Sequence, residues 1–234
     1  MSKVCHACGN FGIEGGCPRC GKTPKTVAGA KILTLNAPVE FIPVHYQGKL
    51  WEPPANDVTQ ASLTFYGSLS RVHDEFLKGN VPAFSMYVSS NAKGGKHEFA
   101  YSCMQTAMAQ GFSATPLLSA SDWRRLYRVS ITNPYYKLYD QFTWDDLIRR
   151  DVAFMFIDHS DERFDVISLL KDVMDSRAAF GKPTFIISDY KLNTLNKRWG
   201  TSTYGMIYNP DPSRDTLRFP VVLHYFKEDD TREG

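Results

Sequence analysis

The fold of this chain is decided by the stretch FTWDDLIRRDVAFMFIDHS (residues 142–160). Residues 142–150 have the apolar spacing of a short amphipathic helix. Residues 152–157 form an unbroken apolar run, which is typical of a strand buried on both faces in the centre of a parallel sheet. An acid, Asp158, follows directly after that run. A helix that leads into such a strand indicates an α/β fold.

The segments on either side continue this alternation of helices and strands. We predict strands at residues 83–88, 115–119, 183–188 and 219–225. Helices are predicted at 58–77 and 164–180, with a shorter one at 191–198. A further helix is predicted to begin after the loop that follows residue 88 and to end at about residue 110. Ser121 and Asp122 have the residue types of helix caps. Alternating elements of this kind predict a parallel sheet covered by helices.

Composition limits the classes of protein that fit. Of the 234 residues, 43% are hydrophobic and 13% aromatic, which are values of a globular protein and not of a disordered one. The net charge of +2 excludes a global cationic field, so contacts with nucleic acid would need local basic patches. Neither a membrane span nor a signal peptide is recognisable, which predicts a cytoplasmic protein.

The cysteines predict a structural zinc site near the N-terminus. Cys5, Cys8, Cys17 and Cys20 form two CxxC pairs, and each pair can direct two thiolates at one ion. The alternative is a redox dithiol or a disulfide, but the segment offers no βαβ unit to carry one. Cys103 is left over and is interpreted as a small buried hydrophobe. We therefore predict a zinc module at 1–22, a linker or arm at 23–39 and a core domain at 40–234.

The connection SSNAKGGKHE (residues 89–98) has the position of a phosphate-binding loop, between a strand and a helix. Compared with G-x-x-x-x-G-K-[ST], Gly95 and Lys96 match, with Gly94 beside them. Ser90 replaces the first glycine, and His97 replaces the hydroxyl residue that contacts magnesium. A turn rich in lysine and glycine before a helix is also common without any ligand.

Asp158 strengthens the phosphate-site interpretation. It ends the apolar strand, as the acidic magnesium partner does in P-loop ATPases. The alternative is an ordinary aspartate that caps a turn. The next residue is His159, which cannot supply the negative charge of a second carboxylate.

Three stretches together resemble the DnaC/DnaI helicase loaders and the IstB-like ATPases of the AAA+ family. FTWDDLIRRDVAFMFIDHS is similar to their Walker B region, and VISLLKDVMDSRAAFGKPTFIISDYKLNTL (166–195) is similar to the helix, R-x-x-x-x-K-P turn and sensor-1 strand that follow. FIPVHYQGKLWEP (41–53) resembles the stretch that packs near adenine in that family. The resemblance covers about residues 40–200 and implies a P-loop AAA+ core.

The resemblance also implies roles for individual residues. Lys96 would contact the β- and γ-phosphates of ATP, and Asp158 would hold the magnesium ion. Ser188 and Asp189 lie at the sensor-1 position, where asparagine is usual, and Arg198 lies where an arginine finger could serve a neighbouring subunit. Because Ser90, His97, His159 and Asp189 depart from the family pattern, we expect slow or absent hydrolysis. Arg177 precedes the K-P turn and is either a family-type arginine or a solvated helix residue.

Taken together, these observations predict a phage-like replication protein that delivers a replicative helicase to single-stranded DNA as a homo-oligomer. Its zinc module would dock on the helicase. Basic and aromatic residues alternate in DWRRLYRVSITNPYYKLY (122–139), which is the candidate contact with DNA; alternatively, its aromatic residues face the core and its arginines are solvated. Two other functions stay open: a non-enzymatic AAA+-like adaptor that binds helicase or DNA, and an IstB-like transposition helper.

Overall fold

A parallel sheet forms the centre of the computed structural model, which describes residues 3–4, 11–12, 42–54, 59–90, 95–138, 142–158, 166–191, 194, 217 and 221–226. Within these ranges the strands are β1 (Lys3–Val4), β2 (Phe11–Gly12), β3 (Met86–Ser90), β4 (Ala114–Ser119), β5 (Val152–Ile157), β6 (Thr184–Ser188) and β7 (Val221–Tyr225). The helices are α1 (Gln60–Leu77), α2 (Lys96–Ala109), α3 (Ala120–Thr132), α4 (Trp144–Arg149) and α5 (Val166–Ala179).

The five long strands lie in the order β4-β5-β6-β3-β7, and all their pairings are parallel. The predicted α/β class with a parallel sheet is therefore confirmed. In such a sheet every strand ends at the same edge, and ligands bind there, at the carboxyl ends of the strands. Strand β3 lies between β6 and β7, so its carboxyl end lies beside the ends of strands that are distant in sequence.

Both faces of the sheet are buried, as the unbroken apolar strands predict. Side chains alternate along β5: Val152 and Phe154 pack in the core under α1 and α2, whereas Ala153 and Met155 pack in the core under α3, α4 and α5. This gives three layers, with the sheet between two groups of helices. None of the described helices has the length and hydropathy that a membrane span requires.

Several predicted boundaries move by a few residues. Strand β3 begins at Met86 and not at residue 83, because the Ser85 hydroxyl accepts a hydrogen bond from the Thr184 amide at 2.9 Å and donates one to the Leu217 carbonyl at 2.7 Å. These side-chain contacts replace ladder contacts just before the strand. The strand then continues to Ser90, beyond the predicted end at residue 88.

The predicted caps of α3 are wrong. The N-cap is Ser119, whose hydroxyl accepts a hydrogen bond from the Asp122 amide at 3.1 Å, so the helix begins at Ala120. Strand β4 therefore passes into α3 without a loop. The predicted amphipathic helix at 142–150 is confirmed as α4, which starts with a capping box between Thr143 and Asp146.

Arg177 is not a solvated helix residue. It is fully buried near the end of α5, and its Nη1 donates to the carbonyls of Leu147 and Ile148 at 2.8 and 2.9 Å. Its Nη2 donates to the Pro183 carbonyl at 2.8 Å, and its Nε donates to the Thr184 hydroxyl at 3.0 Å. Burial lowers the pKa of Arg177 to about 9, which leaves it protonated at neutral pH. The side chain thus joins α4, α5 and β6.

Candidate functional site

The candidate site begins at the amino end of α2. Gly95 is the N-cap residue, with φ of 68°, a left-handed conformation that glycine adopts without steric cost. Lys96 is the first residue of the helix, and its side chain is only 1% exposed. A helix start presents backbone amide N–H groups and the positive end of the helix dipole, which together favour an anion. Gly94 lies outside the described residues.

The Lys96 ammonium group connects three parts of this edge of the sheet. Its Nζ donates to the Ser90 carbonyl at the end of β3, at 2.8 Å, and lies 2.8 Å from Asp189 Oδ1, just after β6. Ser90, Lys96 and Asp189 therefore lie together at this edge of the sheet. A buried lysine is costly unless its charge is matched by polar partners, and here both partners are oxygen atoms of the site.

Asp158 and Asp189 end neighbouring strands. Ile157 and Ser188 are paired in register across β5 and β6, and the Asp189 amide donates to the Ile157 carbonyl at 3.2 Å. Two carboxylates thus follow adjacent strand ends, beside a lysine at a helix amino end. Carboxylate oxygens are the ligands that Mg²⁺ prefers, so Asp158 could hold magnesium as its position predicts.

Ser188 turns away from this edge. It is fully buried, and its hydroxyl accepts a hydrogen bond from the Tyr190 amide at 3.0 Å. Of the two residues at the predicted sensor position, Asp189 is therefore the one that contacts Lys96.

His97 lies where a hydroxyl residue would contact magnesium. Its ring packs edge-on against Phe156 of β5, with ring centroids 4.6 Å apart. Burial, and then the neighbouring charge of Lys96, lower the pKa of His97 below its usual value. The imidazole is therefore neutral at pH 7, and it cannot reproduce the small hydroxyl ligand that the motif requires.

The segment before α1 adds a donor that the sequence did not reveal. Trp51 is 6% exposed, and its backbone amide donates to the Ser102 hydroxyl of α2 at 2.8 Å. Among the described residues its buried indole nitrogen has no hydrogen-bond partner, and it lies 3.6 Å from the position that a Cβ atom on Gly95 would occupy. A buried N–H without a partner is costly, and this one is next to the helix start.

Residues 42–54 are held against α2 by further hydrogen bonds. Gln105 accepts from the Gly48 amide at 2.6 Å and donates to the Tyr46 carbonyl at 3.0 Å. Ser102 also bonds to His73 of α1, with 2.8 Å between Oγ and Nε2, and burial lowers the pKa of His73. This network positions Trp51 beside the start of α2.

A second polar pair lies on the other side of β3. Ser89 Oγ and His224 Nδ1 of β7 are 2.6 Å apart. Burial, and then the charge of Lys191, lower the pKa of His224. The motif comparison did not identify this pair, because its two residues are brought together only by the strand order.

Other predicted site residues lie outside the described part of the chain. These are Cys5, Cys8, Cys17, Cys20, His159 and Arg198. Strands β1 and β2, which pair antiparallel with Val4 opposite Phe11, flank Cys5 and Cys8 in the sequence. Cys103 is described and fully buried in α2, as predicted, where burial raises the pKa of its thiol.

Solved structures of other proteins are similar to this chain in fold. A primosome component from Streptococcus pyogenes serotype M3 has a TM-score of 0.51 at 15% identity, over 79% of this chain and 89% of that chain. The two chains share a fold. The DnaC helicase loader has a TM-score of 0.47 at 14% identity, covering 74% of this chain and 93% of its own. DnaI has a TM-score of 0.45 at 12% identity, covering 73% of this chain and 87% of its own.

At such identities the likeness concerns the fold alone. No protein-family model matches the chain, and no curated protein matches it significantly. The roles of Lys96, Asp158 and Asp189 therefore depend on their own geometry.

Proposed function

We propose that the protein is a replication factor of the helicase-loader type, which binds a nucleotide and delivers a replicative helicase to single-stranded DNA. The observation that carries the nucleotide part is the buried Lys96 ammonium, held 2.8 Å from the Ser90 carbonyl at the start of α2. A fully buried lysine at a helix amino end, next to the strand-end acids Asp158 and Asp189, matches the chemistry of phosphate and magnesium. The fold shared with a primosome component supports the replication part.

The residues present fit a nucleotide. Lys96 and the amides at the start of α2 would contact phosphate oxygens, and Asp158 would contact magnesium. The Trp51 indole N–H, which has no partner in the described part of the chain and lies next to Gly95, would donate to the bound nucleotide. A bound Mg²⁺ would supply charge neutralisation for the phosphates.

Hydrolysis is proposed to be weak or absent. His97 replaces the magnesium-binding hydroxyl, and the Asp189 carboxylate lies where a neutral amide would be expected. Each change removes a favourable contact with magnesium or adds a negative charge next to phosphate. Arg198 would act on a neighbouring subunit in a homo-oligomer.

Helix α3 is the proposed contact with single-stranded DNA. Its apolar face is buried through Trp123 and Leu126, whereas Arg125 and Arg128 are exposed, and Tyr135 just after the helix is 86% exposed. Trp123 and the two arginines therefore follow the alternative in which aromatic residues face the core and arginines are solvated, whereas the exposed Tyr135 ring supports the proposed contact. Exposed arginines beside an exposed aromatic ring are suited to an unpaired strand.

The zinc module is proposed to dock on the helicase. The β1–β2 pairing around Cys5 and Cys8 agrees with a CxxC turn closed by two short strands. Replacing Cys17 and Cys20 with serine should release zinc and abolish helicase binding, while the core keeps its thermal transition. Intact helicase binding by a zinc-free variant would show that the docking surface lies elsewhere.

One experiment tests the nucleotide part. ATP binding and DNA-stimulated hydrolysis are measured for the wild type, Lys96→Ala, Trp51→Phe and the control Lys78→Ala, an exposed lysine paired with Glu75 on α1. We expect Lys96→Ala to abolish binding and Trp51→Phe to weaken it several-fold, with the control unchanged. If the wild type binds no nucleotide and Lys96→Ala changes nothing, the nucleotide part fails.

That outcome would favour a second function, a non-enzymatic adaptor with an AAA+-type fold that binds helicase or DNA. The Lys96–Asp189 ion pair is the observation in its favour, because it neutralises the lysine without any ligand. Retained binding of helicase and DNA by a protein that binds no nucleotide would establish the adaptor.

A further inference from the structure

The position of the Asp189 carboxylate has a consequence for the kind of nucleotide that the site accepts. Its Oδ1 lies 2.8 Å from Lys96 Nζ, whose side chain is 1% exposed, whereas the Asp189 side chain is 22% exposed. The carboxylate is therefore the partner that lies on the side more open to solvent. This inference depends on the proposed nucleotide binding.

The phosphates would extend from the helix start towards the strand ends. Amide groups at the start of α2 are the inner cradle, and Lys96 is directed from there to the end of β6. Beyond Lys96 the phosphates would meet Asp189 and, at the end of the adjacent strand β5, Asp158. A phosphate group placed between Lys96 and these residues would meet two carboxylates.

Charge then distinguishes nucleotides by their number of phosphates. The last phosphate of a diphosphate can reach Lys96 while the Asp189 contact remains. A third phosphate would have to displace the carboxylate from the ammonium and lie beside it, and two like charges in close contact oppose each other strongly. The carboxylate thus acts as an internal substitute for a terminal phosphate.

We propose that Asp189 is a specificity-determining residue that makes this site select nucleoside diphosphates over triphosphates. The protein would accordingly be occupied by a diphosphate over most of its working cycle. The nucleotide would then act as a bound structural ligand, and its hydrolysis would not supply free energy.

The test is a titration of the full-length protein with fluorescent ADP and ATP derivatives, with and without Mg²⁺. The variants are wild type, Asp189→Asn, Lys96→Ala and the control Asp145→Asn, an exposed acid paired with Arg149 on α4. The asparagine is isosteric and keeps an oxygen atom for Lys96, and thermal melts verify that each variant is folded. The control removes the same charge at a distant element.

We expect wild type to bind the diphosphate at least about 10-fold more tightly than the triphosphate. In Asp189→Asn the ratio should fall to about 1, mainly because triphosphate binding tightens, whereas Asp145→Asn should leave it unchanged. An unchanged ratio in Asp189→Asn, with binding still dependent on Lys96, would overturn this inference alone. A triphosphate preference that requires Mg²⁺ and is lost in Asp189→Asn would also overturn it, since Asp189 would then be a metal ligand. Absence of binding in every variant would remove both the inference and the nucleotide part of the proposed function.

Discussion

Lys96 Nζ and Asp189 Oδ1 are 2.8 Å apart, which joins the helix after β3 to the end of β6. The two partners differ in solvation, since the lysine side chain is 1% exposed and the aspartate 22%. The energetic cost of losing one partner therefore depends on which charge is left behind. A charge stranded in the interior costs more than one that water can still reach.

Asp189→Ala should accordingly destabilise the protein more than Lys96→Met. We expect a loss of roughly 2–3 kcal/mol for Asp189→Ala, because the lysine stays buried with its charge unmatched. Lys96→Met leaves a carboxylate that remains partly solvated, so this variant should lose less stability. Urea unfolding of both variants at pH 7 measures the difference. A larger loss for Lys96→Met would contradict the assignment of the lysine as the more buried partner.

Asp151 should make stability depend on acid pH. Burial alone would raise its pKa, but hydrogen bonds from Lys182 and Ser113 lower it to about 2, against an ordinary value of 3.8. A depressed folded-state pKa contributes stability above pH 3.8, and this contribution is lost as the pH falls towards 2. Because the carboxylate is about one third exposed, we expect about 1 kcal/mol.

The measurement is the free energy of unfolding in urea at pH 6 and pH 3 for wild type and Asp151→Asn. The variant should be less stable than the wild type at pH 6, and the difference between their free energies of unfolding should be smaller at pH 3. Asp145→Asn, which removes an exposed carboxylate, serves as the control. A gap that is constant with pH would mean that the charge of Asp151 does not contribute.

Arg177→Lys should destabilise the fold by about 3 kcal/mol. Lysine cannot reproduce the planar guanidinium that binds the carbonyls of Leu147, Ile148 and Pro183, so buried acceptors would lose their donors. Arg149→Lys is the matched control, because Arg149 is exposed and makes its contacts at the surface, with the Asp145 carboxylate and with the ring of the half-exposed Phe180. Its effect should stay within about 0.5 kcal/mol. Similar thermal shifts for both variants would contradict the structural role of Arg177.

Changes on α3 should weaken binding to single-stranded DNA. Replacing Arg125 and Arg128 with alanine removes two phosphate contacts, which should reduce the slope of log K against log salt by about 1.4. Tyr135→Ala should cost about 1–3 kcal/mol if the ring stacks on a base. Fluorescence anisotropy with an oligonucleotide at several salt concentrations measures both effects.

Arg71→Ala is the control for this surface, since Arg71 is exposed on α1. It should leave both affinity and salt dependence unchanged. Equal weakening by Arg71→Ala and by the α3 variants would indicate unspecific attraction to a positive surface.

The sequence by itself determined the elements whose signals are local. An unbroken apolar run predicted β5 with the correct limits, because a strand buried on both faces must be apolar at every position. The capping box of α4 is likewise encoded within a few residues. Lys96 and Asp158 were singled out as candidates for the same reason, since each follows a predicted strand. The limits of β3 and the N-cap of α3 were missed because side-chain hydrogen bonds set them.

Only the tertiary structure decided which distant residues meet. The order β4-β5-β6-β3-β7 places Asp189 against Lys96 and His224 against Ser89, and no local pattern specifies strand order. It also buried Arg177, which a helical pattern alone would leave in solvent, because three carbonyls from other segments surround it. The position of the Trp51 N–H beside Gly95 depends on the hydrogen bonds that hold residues 42–54 to α2. Contacts between residues far apart in sequence exist only once the sheet has assembled, so the chemistry of this edge belongs to the fold as a whole.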